Sequence, residues 1–299
     1  MKEKIIISLL KIVAFLPLWI LYPISDIVCF MIHRVARYRL KVVHRNLTNC
    51  FPELSEKEIQ KIENKFYHNF CDSFVETIKL LHISDNEIKR RMEFENTELL
   101  DRLLAEGRSI VVYFSHCFNW EWAPSISLHT AIPPSDKLIF AQVYLPLNDE
   151  AFDNIMQHIR SRFGSRCLPK AKVMRYLLKY RNDGAQSITG FMSDQRPGHG
   201  TTRYATTFMG HASEMINGTE TIARRMDMAV VYWDMERLGR GHYRITTHLI
   251  SENPSETPVD QITDRYTRMV ETTIRRDPAN WLWSHNRWKN KVILPTPEQ

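Results

Sequence analysis

The chain predicts an α/β fold, a mixed central sheet flanked by helices, entered through a hydrophobic helical segment at the N-terminus. Three observations predict it. From residue 109 onward, apolar and β-branched runs of strand length alternate with helix-length amphipathic stretches, the pattern of a sheet covered by helices. Residues 1–90 hold no such alternation and read as helical throughout. Residues 5–32 are almost wholly apolar, with Lys11 and Asp26 the only charges, a length sufficient to cross a bilayer.

Taken in order, that apolar stretch contains Pro17 and Pro23, which argue against one straight helix and leave a kinked span and an interfacial segment both open. No small-x-small cleavage site follows it, so it is not read as a removable signal peptide. Residues 55–81 form an amphipathic helix. Ser55 and Glu58 make a capping box, and Ile59, Ile62, Phe66, Phe70, Phe74, Ile78 and Leu81 run along one face. Residues 98–105 form a shorter helix closed by Gly107. The strand-like runs are 109–114, 138–144, 187–192, 228–234 and 243–249. The helical stretches are 119–128, 149–162, 170–179, 218–225 and 259–275. No composition break inside residues 91–299 marks a further domain, and the run 252–258 reads as a loop.

Composition narrows the classes of function. A chain of 299 residues, 43% hydrophobic and 25% charged, is globular. Its five cysteines, Cys29, Cys50, Cys71, Cys117 and Cys167, are odd in number and widely spaced with no CxxC, which fits neither a disulfide framework nor a cysteine-rich zinc site. The net charge of +6 favours an anionic partner: nucleic acid, an acidic lipid surface or an acidic protein. The apolar N-terminus selects the membrane among these. The basic cluster after it, Arg34, Arg37, Arg39, Lys41 and Arg45, keeps the rest of the chain cytoplasmic by the positive-inside rule and would meet anionic headgroups. A buried pair of N-terminal helices in a soluble protein is the competing reading.

The candidate chemistry lies in His116-Cys-Phe-Asn-Trp-Glu121, where a histidine follows a buried strand and a carboxylate comes five positions later at a helix start. α/β proteins place chemistry at such junctions. A histidine there can take a proton from a hydroxyl, and a carboxylate can fix its tautomer. Spacing alone is weak, because His82 and Glu87 repeat it; there Ser84 and Glu87 read as a capping box. Glu121 equally fits a first-turn acid favoured by the helix dipole. Cys117 reads as buried filler in preference to a thiol nucleophile. Asp194, Gln195 and Arg196 end a strand-like run. Asp194 could orient a substrate group and Arg196 could meet a phosphate, although a simple turn explains the same residues. Residues 281–289 hold Trp281, Trp283 and Trp288 among Arg287 and Lys289. This mixture suits a membrane interface, a phosphorylated ligand, nucleic-acid stacking, or a core with cations at its edge. There is no GxSxG, P-loop, HExxH or complete GxGxxG, and the spacing of Asp194, His199 and His211 matches no common metal site.

Together these pieces resemble the lipid A biosynthesis acyltransferase family, the late lauroyl and myristoyl transferases. The family's HFGNWE segment is matched by His116–Glu121, its strand-ending DQ by Asp194-Gln195, and its C-terminal tryptophan stretch by Trp281–Lys289. Arg162-Phe-Gly164, Arg45-Asn-Leu47 and Phe51-Pro-Glu53 match in the same order, so the likeness covers nearly the whole chain. The resemblance implies a glycerolipid-acyltransferase-like fold with a membrane anchor at residues 1–32 and an acyltransferase domain at residues 33–299. It implies transfer of a fatty acyl chain from acyl carrier protein to a hydroxyl of a lipid A precursor, at the cytoplasmic face of the inner membrane. His116 would be the general base and Glu121 its orienting carboxylate, with Asn119, Arg162, Asp194, Gln195 and Arg196 contacting substrate. No metal, no bound cofactor and no nucleic acid is expected. The partners would be acyl carrier protein, the lipid acceptor and an anionic membrane surface. Cys117-Phe118 replaces the family's Phe-Gly, and residues 203–210 depart from its aromatic-rich stretch; both differences bear on substrate identity. Competing functions are an O- or N-acyltransferase for another membrane glycolipid, phospholipid or aminolipid, and a non-catalytic lipid-binding protein.

Overall fold

A computed structural model describes residues 2–198, 201 and 203–294. The helices are α1 (Lys2–Phe15), α2 (Leu18–Phe30), α3 (Leu40–Cys50), α4 (Glu56–Lys79), α5 (Asp85–Arg91), α6 (Glu98–Ala105), α7 (Glu150–Arg160), α8 (Val173–Asn182), α9 (Gly218–Met226) and α10 (Gln261–Arg276). The strands are β1 (Met92–Glu95), β2 (Ile110–Phe114), β3 (Leu138–Tyr144), β4 (Arg166–Pro169), β5 (Gln186–Met192), β6 (Arg203–Phe208), β7 (His211–Ile216), β8 (Ala229–Gly239) and β9 (His242–Ser251). A 3₁₀ helix spans Trp120–Leu128, where an α-helix was expected.

Seven strands form one sheet in the order β1-β9-β8-β2-β5-β3-β4. All neighbours are parallel except the β8–β9 hairpin, which makes the sheet mixed. β2, Ile-Val-Val-Tyr-Phe, lies at its centre with every side chain buried, as a strand covered on both faces requires. The register pairs Phe114 of β2 with Met192 of β5. These two strands therefore end side by side, and the loops leaving them start together. Four strands were not foreseen. β1 and β4 are four residues long, too short for an alternation to register. β6 and β7 form a separate hairpin of mixed polarity, turned at Met209 and Gly210, both with positive φ, as a two-residue turn demands.

The long helix α4 ties the N-terminal helices to the sheet. Ser55 caps it with the full reciprocal box. Its expected apolar face is only part of what it buries. Phe74 is exposed, while Glu63, Asn69, Asp72, Ser73, Glu76 and Lys79 on other faces are buried. The reason is that α2 lies antiparallel along it, so two sides of α4 are covered. Lys79 Nζ donates to the carbonyls of Ala14 and Leu16, Tyr22 to Glu76 and Ser25 to Asp72, and His33 pairs with Glu63. Leu18, Leu21, Ser25 and Cys29 form the buried stripe of α2, with the spacing of one helix face. Leu18–Val35 is the one stretch among the described residues long and apolar enough to cross a membrane. His82–Glu87 is a helix start as expected. Ser84 accepts the Glu87 N–H, but the Glu87 carboxylate pairs with Arg91 in place of closing a box.

Candidate active site

His116 and Asp194 each lie two residues beyond the paired ends of β2 and β5, at the carboxyl edge of the parallel strands where open α/β sheets bind ligands. The register delivers them to each other. The His116 backbone N–H donates to Asp194 Oδ2 at 3.0 Å, and the ring Nδ1 lies 2.8 Å from Oδ1. An ionised carboxylate only accepts, so Nδ1 carries the proton and Nε2 is left as the basic nitrogen. Nothing among the described residues hydrogen-bonds Nε2. The imidazole keeps some exposure, while Asp194 has none.

Burial alone would raise the Asp194 carboxyl. The His116 charge, the two bonds from His116 and a third from the Trp281 indole at 2.7 Å outweigh it and hold the group below the usual carboxylate range. The backbone around the pair is equally fixed. Buried Tyr266 donates to the Phe114 carbonyl and accepts from the Ser193 N–H, clamping the two strand ends. Arg287, buried, donates to the Asp194 carbonyl.

The C-terminal tryptophan stretch is the wall of this site. Its backbone pairs with the histidine segment: Phe118 N–H donates to Asn280 O and Leu282 N–H to His116 O. Trp281 and Trp283 are fully buried, so for them the core reading is the one observed; of the two cations Lys289 is exposed, but Arg287 is buried with them. Asn46, from the Arg45-Asn-Leu47 motif, is buried and donates to the carbonyls of Trp283 and His285. Arg45 donates to Asn286. The N-terminal motif therefore holds the wall in place.

The structure places several of the expected site residues away from direct contact with the imidazole. Among the described residues, Glu121 makes no hydrogen bond to His116. Its two oxygens take Arg160 Nε at 2.8 Å and Nη2 at 2.5 Å, and Oε1 also accepts the Trp120 indole. Asp194 holds the position expected of Glu121. Asn119 is buried and its amide is engaged within the protein. Its Oδ1 accepts the Glu121 N–H and caps the 3₁₀ helix, while Nδ2 donates to Glu76 and to the Ser73 carbonyl. Arg162 packs over Phe163 and donates to the Ile83 carbonyl and Asp85. Cys117 and Phe118 point into the core: Phe118 contacts the rings of Phe66, Phe70 and Trp120. At Phe118 the departure from the family pattern is thus a packing change against α4, while Cys117 is buried beside Ser115 and Trp281. Burial pushes the Cys117 thiol far up, which removes it as a nucleophile.

Gln195 and Arg196 are partly exposed beside Asp194. Arg196 donates through its side chain to Asn290 and through its backbone N–H to His285. Burial lowers His285 to about 4 and keeps it a neutral acceptor. His211 reaches the Asn49 carbonyl, and His199 lies outside the described residues. Residues 203–210 form β6 and its turn. Phe208 packs on Trp281 and Trp288, and Met209 N–H donates to Glu271.

Sequence reading missed Arg160, Trp281 as an Asp194 donor, Tyr266 and Glu76. The last is wholly buried and accepts from Tyr22, Asn119 and Tyr243. Burial, with Asp72 nearby, lifts it to about 7 against the hydrogen bond from Tyr243. A narrow apolar crevice between Phe114, Pro124, Phe140, Gly190 and Trp233 lies under the 3₁₀ helix.

Comparison with known proteins gives a consistent result. A family model described as bacterial lipid A biosynthesis acyltransferase matches residues 3–290. The lipid A biosynthesis lauroyltransferase of Escherichia coli is 23% identical over 295 residues, covering 95% of this chain and 90% of that protein. The palmitoleoyltransferase of the same organism is 21% identical over 285 residues, covering 92% and 89%. A lipid A biosynthesis acyltransferase of Haemophilus influenzae is 21% identical over 253 residues, covering 84% and 76%.

Proposed function

The chain belongs to the bacterial lipid A biosynthesis acyltransferase family, and from that premise we propose that it moves a fatty acyl group from an acyl carrier protein thioester to a hydroxyl of a lipid A precursor. It is an acyltransferase, and its acceptor is a lipid. The observation that carries the finer reading is the His116–Asp194 pair with Nε2 unoccupied at the edge of the sheet.

In the proposed reaction His116 Nε2 takes the proton of the acceptor hydroxyl as its oxygen attacks the thioester carbonyl. Asp194 steadies the imidazolium through Nδ1. The tetrahedral intermediate collapses, the C–S bond breaks, and the imidazolium proton passes to the leaving thiolate. The products are an ester and a free thiol. A thioester is already activated, so no protein nucleophile and no cofactor is needed. The net charge of +6 supports docking of an acidic carrier protein, with strong salt dependence. Localisation at the cytoplasmic face of the inner membrane is supported by the apolar N-terminal helices and by exposed Arg34, Arg37, Arg39, Lys41 and Arg45 beyond them.

The test is lipid mass spectrometry of cells with and without the gene, beside transfer by the purified protein from an acyl carrier protein thioester. Loss of one acyl group from lipid A supports the proposal. An unchanged lipid A profile with a changed phospholipid or aminolipid would overturn it.

A further inference from the structure

We propose that the protein lies in one leaflet of the bilayer without crossing it, and that the loop from β3 to α7 is a second point of insertion beside the N-terminal helices. The inference rests on the reading that the acceptor is a membrane lipid, and it adds the posture from which that lipid would be reached.

The first observation is how α2 is held. A helix of 18 residues spans roughly 27 Å, just enough for a bilayer core. Yet α2 and the turn after it run alongside α4 from Lys79 to Glu63, joined by Lys79, Tyr22–Glu76, Ser25–Asp72 and His33–Glu63. Asp26 and Asp72 share Arg240 from the β8–β9 turn. α4 in turn donates from Asn69 to the Ala279 carbonyl beside the site. A crossing α2 would have to abandon these partners or draw buried carboxylates into hydrocarbon, and either is costly. The opposite stripe is free for lipid: Trp19, Ile27, Phe30, Met31 and Val35 are exposed. A basic collar follows it, Arg34 to Arg45, all of whose arginines and lysines are exposed. An apolar face edged by cations complements anionic headgroups over acyl chains.

The second observation is independent. Leu145 is 75% exposed, and Leu147 and Phe152 are exposed beside it. Leu145 and Leu147 are presented by the loop and Phe152 by the first turn of α7. Asp153 accepts the Leu147 N–H at 2.8 Å, the Tyr144 hydroxyl and the Gln157 amide, so the backbone is fixed while its apolar side chains face out. α7 packs against α1, and α1 itself carries exposed Leu9, Ile12 and Phe15. At its other end α7 supplies Arg160 to Glu121 of the histidine segment. The same helix therefore joins the second apolar patch to the site.

The experiment uses full-length protein on vesicles of phosphatidylethanolamine and phosphatidylglycerol, with an environment-sensitive fluorophore at single introduced cysteines. Cys29, Cys50, Cys71 and Cys117 are buried, and Cys167→Ser completes the background. Trp19→Cys, Ile27→Cys, Val35→Cys, Leu145→Cys and Val259→Cys are all at exposed side chains. Lipids carrying nitroxide at shallow or deep positions report depth. The expected result is similar shallow quenching at 19, 27 and 35, shallow quenching at 145, and none at 259. A depth profile that passes through the bilayer centre between 19 and 35 would overturn the one-leaflet posture. A label at 145 as unquenched as that at 259 would overturn the second insertion point, as would quenching by neither lipid because a second copy covers the face. Transfer activity is read separately. Inactive protein with the expected depths would count against the proposed function and leave this posture standing.

Discussion

His116 and Glu121 share one segment, yet their side chains diverge, and that divergence sets the predictions at the residue scale. Glu121 and Arg160 form a largely buried pair, and removing one charge strands the other. Glu121→Gln is therefore expected to cost about 1–3 kcal/mol in urea unfolding, discounted for residual exposure. Gly190 is a second structural position. A Cβ there would lie 2.9 Å from the Phe114 ring, closer than real contacts allow. Gly190→Ala should lower stability by about 1–3 kcal/mol, read as a fall in Tm, because Phe114 must shift in a packed strand. The histidine, Asp194 and the tryptophan wall were all legible as motifs. Their assembly was not, because the partner of His116 lies seventy-eight positions away and is supplied by strand register. Sequence proximity favoured Glu121 for the place beside His116 that sheet topology gives to Asp194.

At the scale of elements, α4 carries the most information beyond its pattern. Periodicity gave its cap and most of its apolar face, with Phe74 exposed as the exception, and the long strands β2, β3, β5, β8 and β9 followed from their β-branched runs. Periodicity could not show that the polar faces of α4 are also buried, since that depends on α2 and the histidine segment docking there. Glu76 is the consequence. Its folded pKa of about 7 lies above an unfolded value near 4.3. Between those values the folded state holds a proton that the unfolded state has lost. Its contribution to stability thus falls as pH rises through this window and is flat above it. Glu76→Gln removes the dependence. The stability of wild type relative to Glu76→Gln should drop by on the order of 3 kcal/mol from pH 4.5 to pH 7.5, measured by urea unfolding at each pH. A constant difference would show that Glu76 stays ionised.

At the scale of the whole molecule, α2 runs along α4, the basic collar reaches the wall through Arg39 and Arg45, and the wall made by residues 281–289 pairs with the His116 segment. Described segments from the N-terminal and C-terminal parts of the chain thus meet at the middle of the sequence, where the reaction is proposed to occur. Salt should therefore act on the assembled enzyme. Raising ionic strength is expected to increase KM for the acyl carrier protein thioester while leaving kcat nearly unchanged, as steady-state kinetics at several salt concentrations would show. The central claim is that His116 and Asp194 form the working pair, and transfer rates of three variants test it most directly. In an assay with acyl carrier protein thioester and lipid acceptor, His116→Ala and Asp194→Asn should each lower kcat by about 10²–10⁴-fold. Glu121→Gln, assayed where it is fully folded, should lose less than about 10-fold. Near-full activity in Asp194→Asn, with Glu121→Gln as inactive as His116→Ala, would contradict the account.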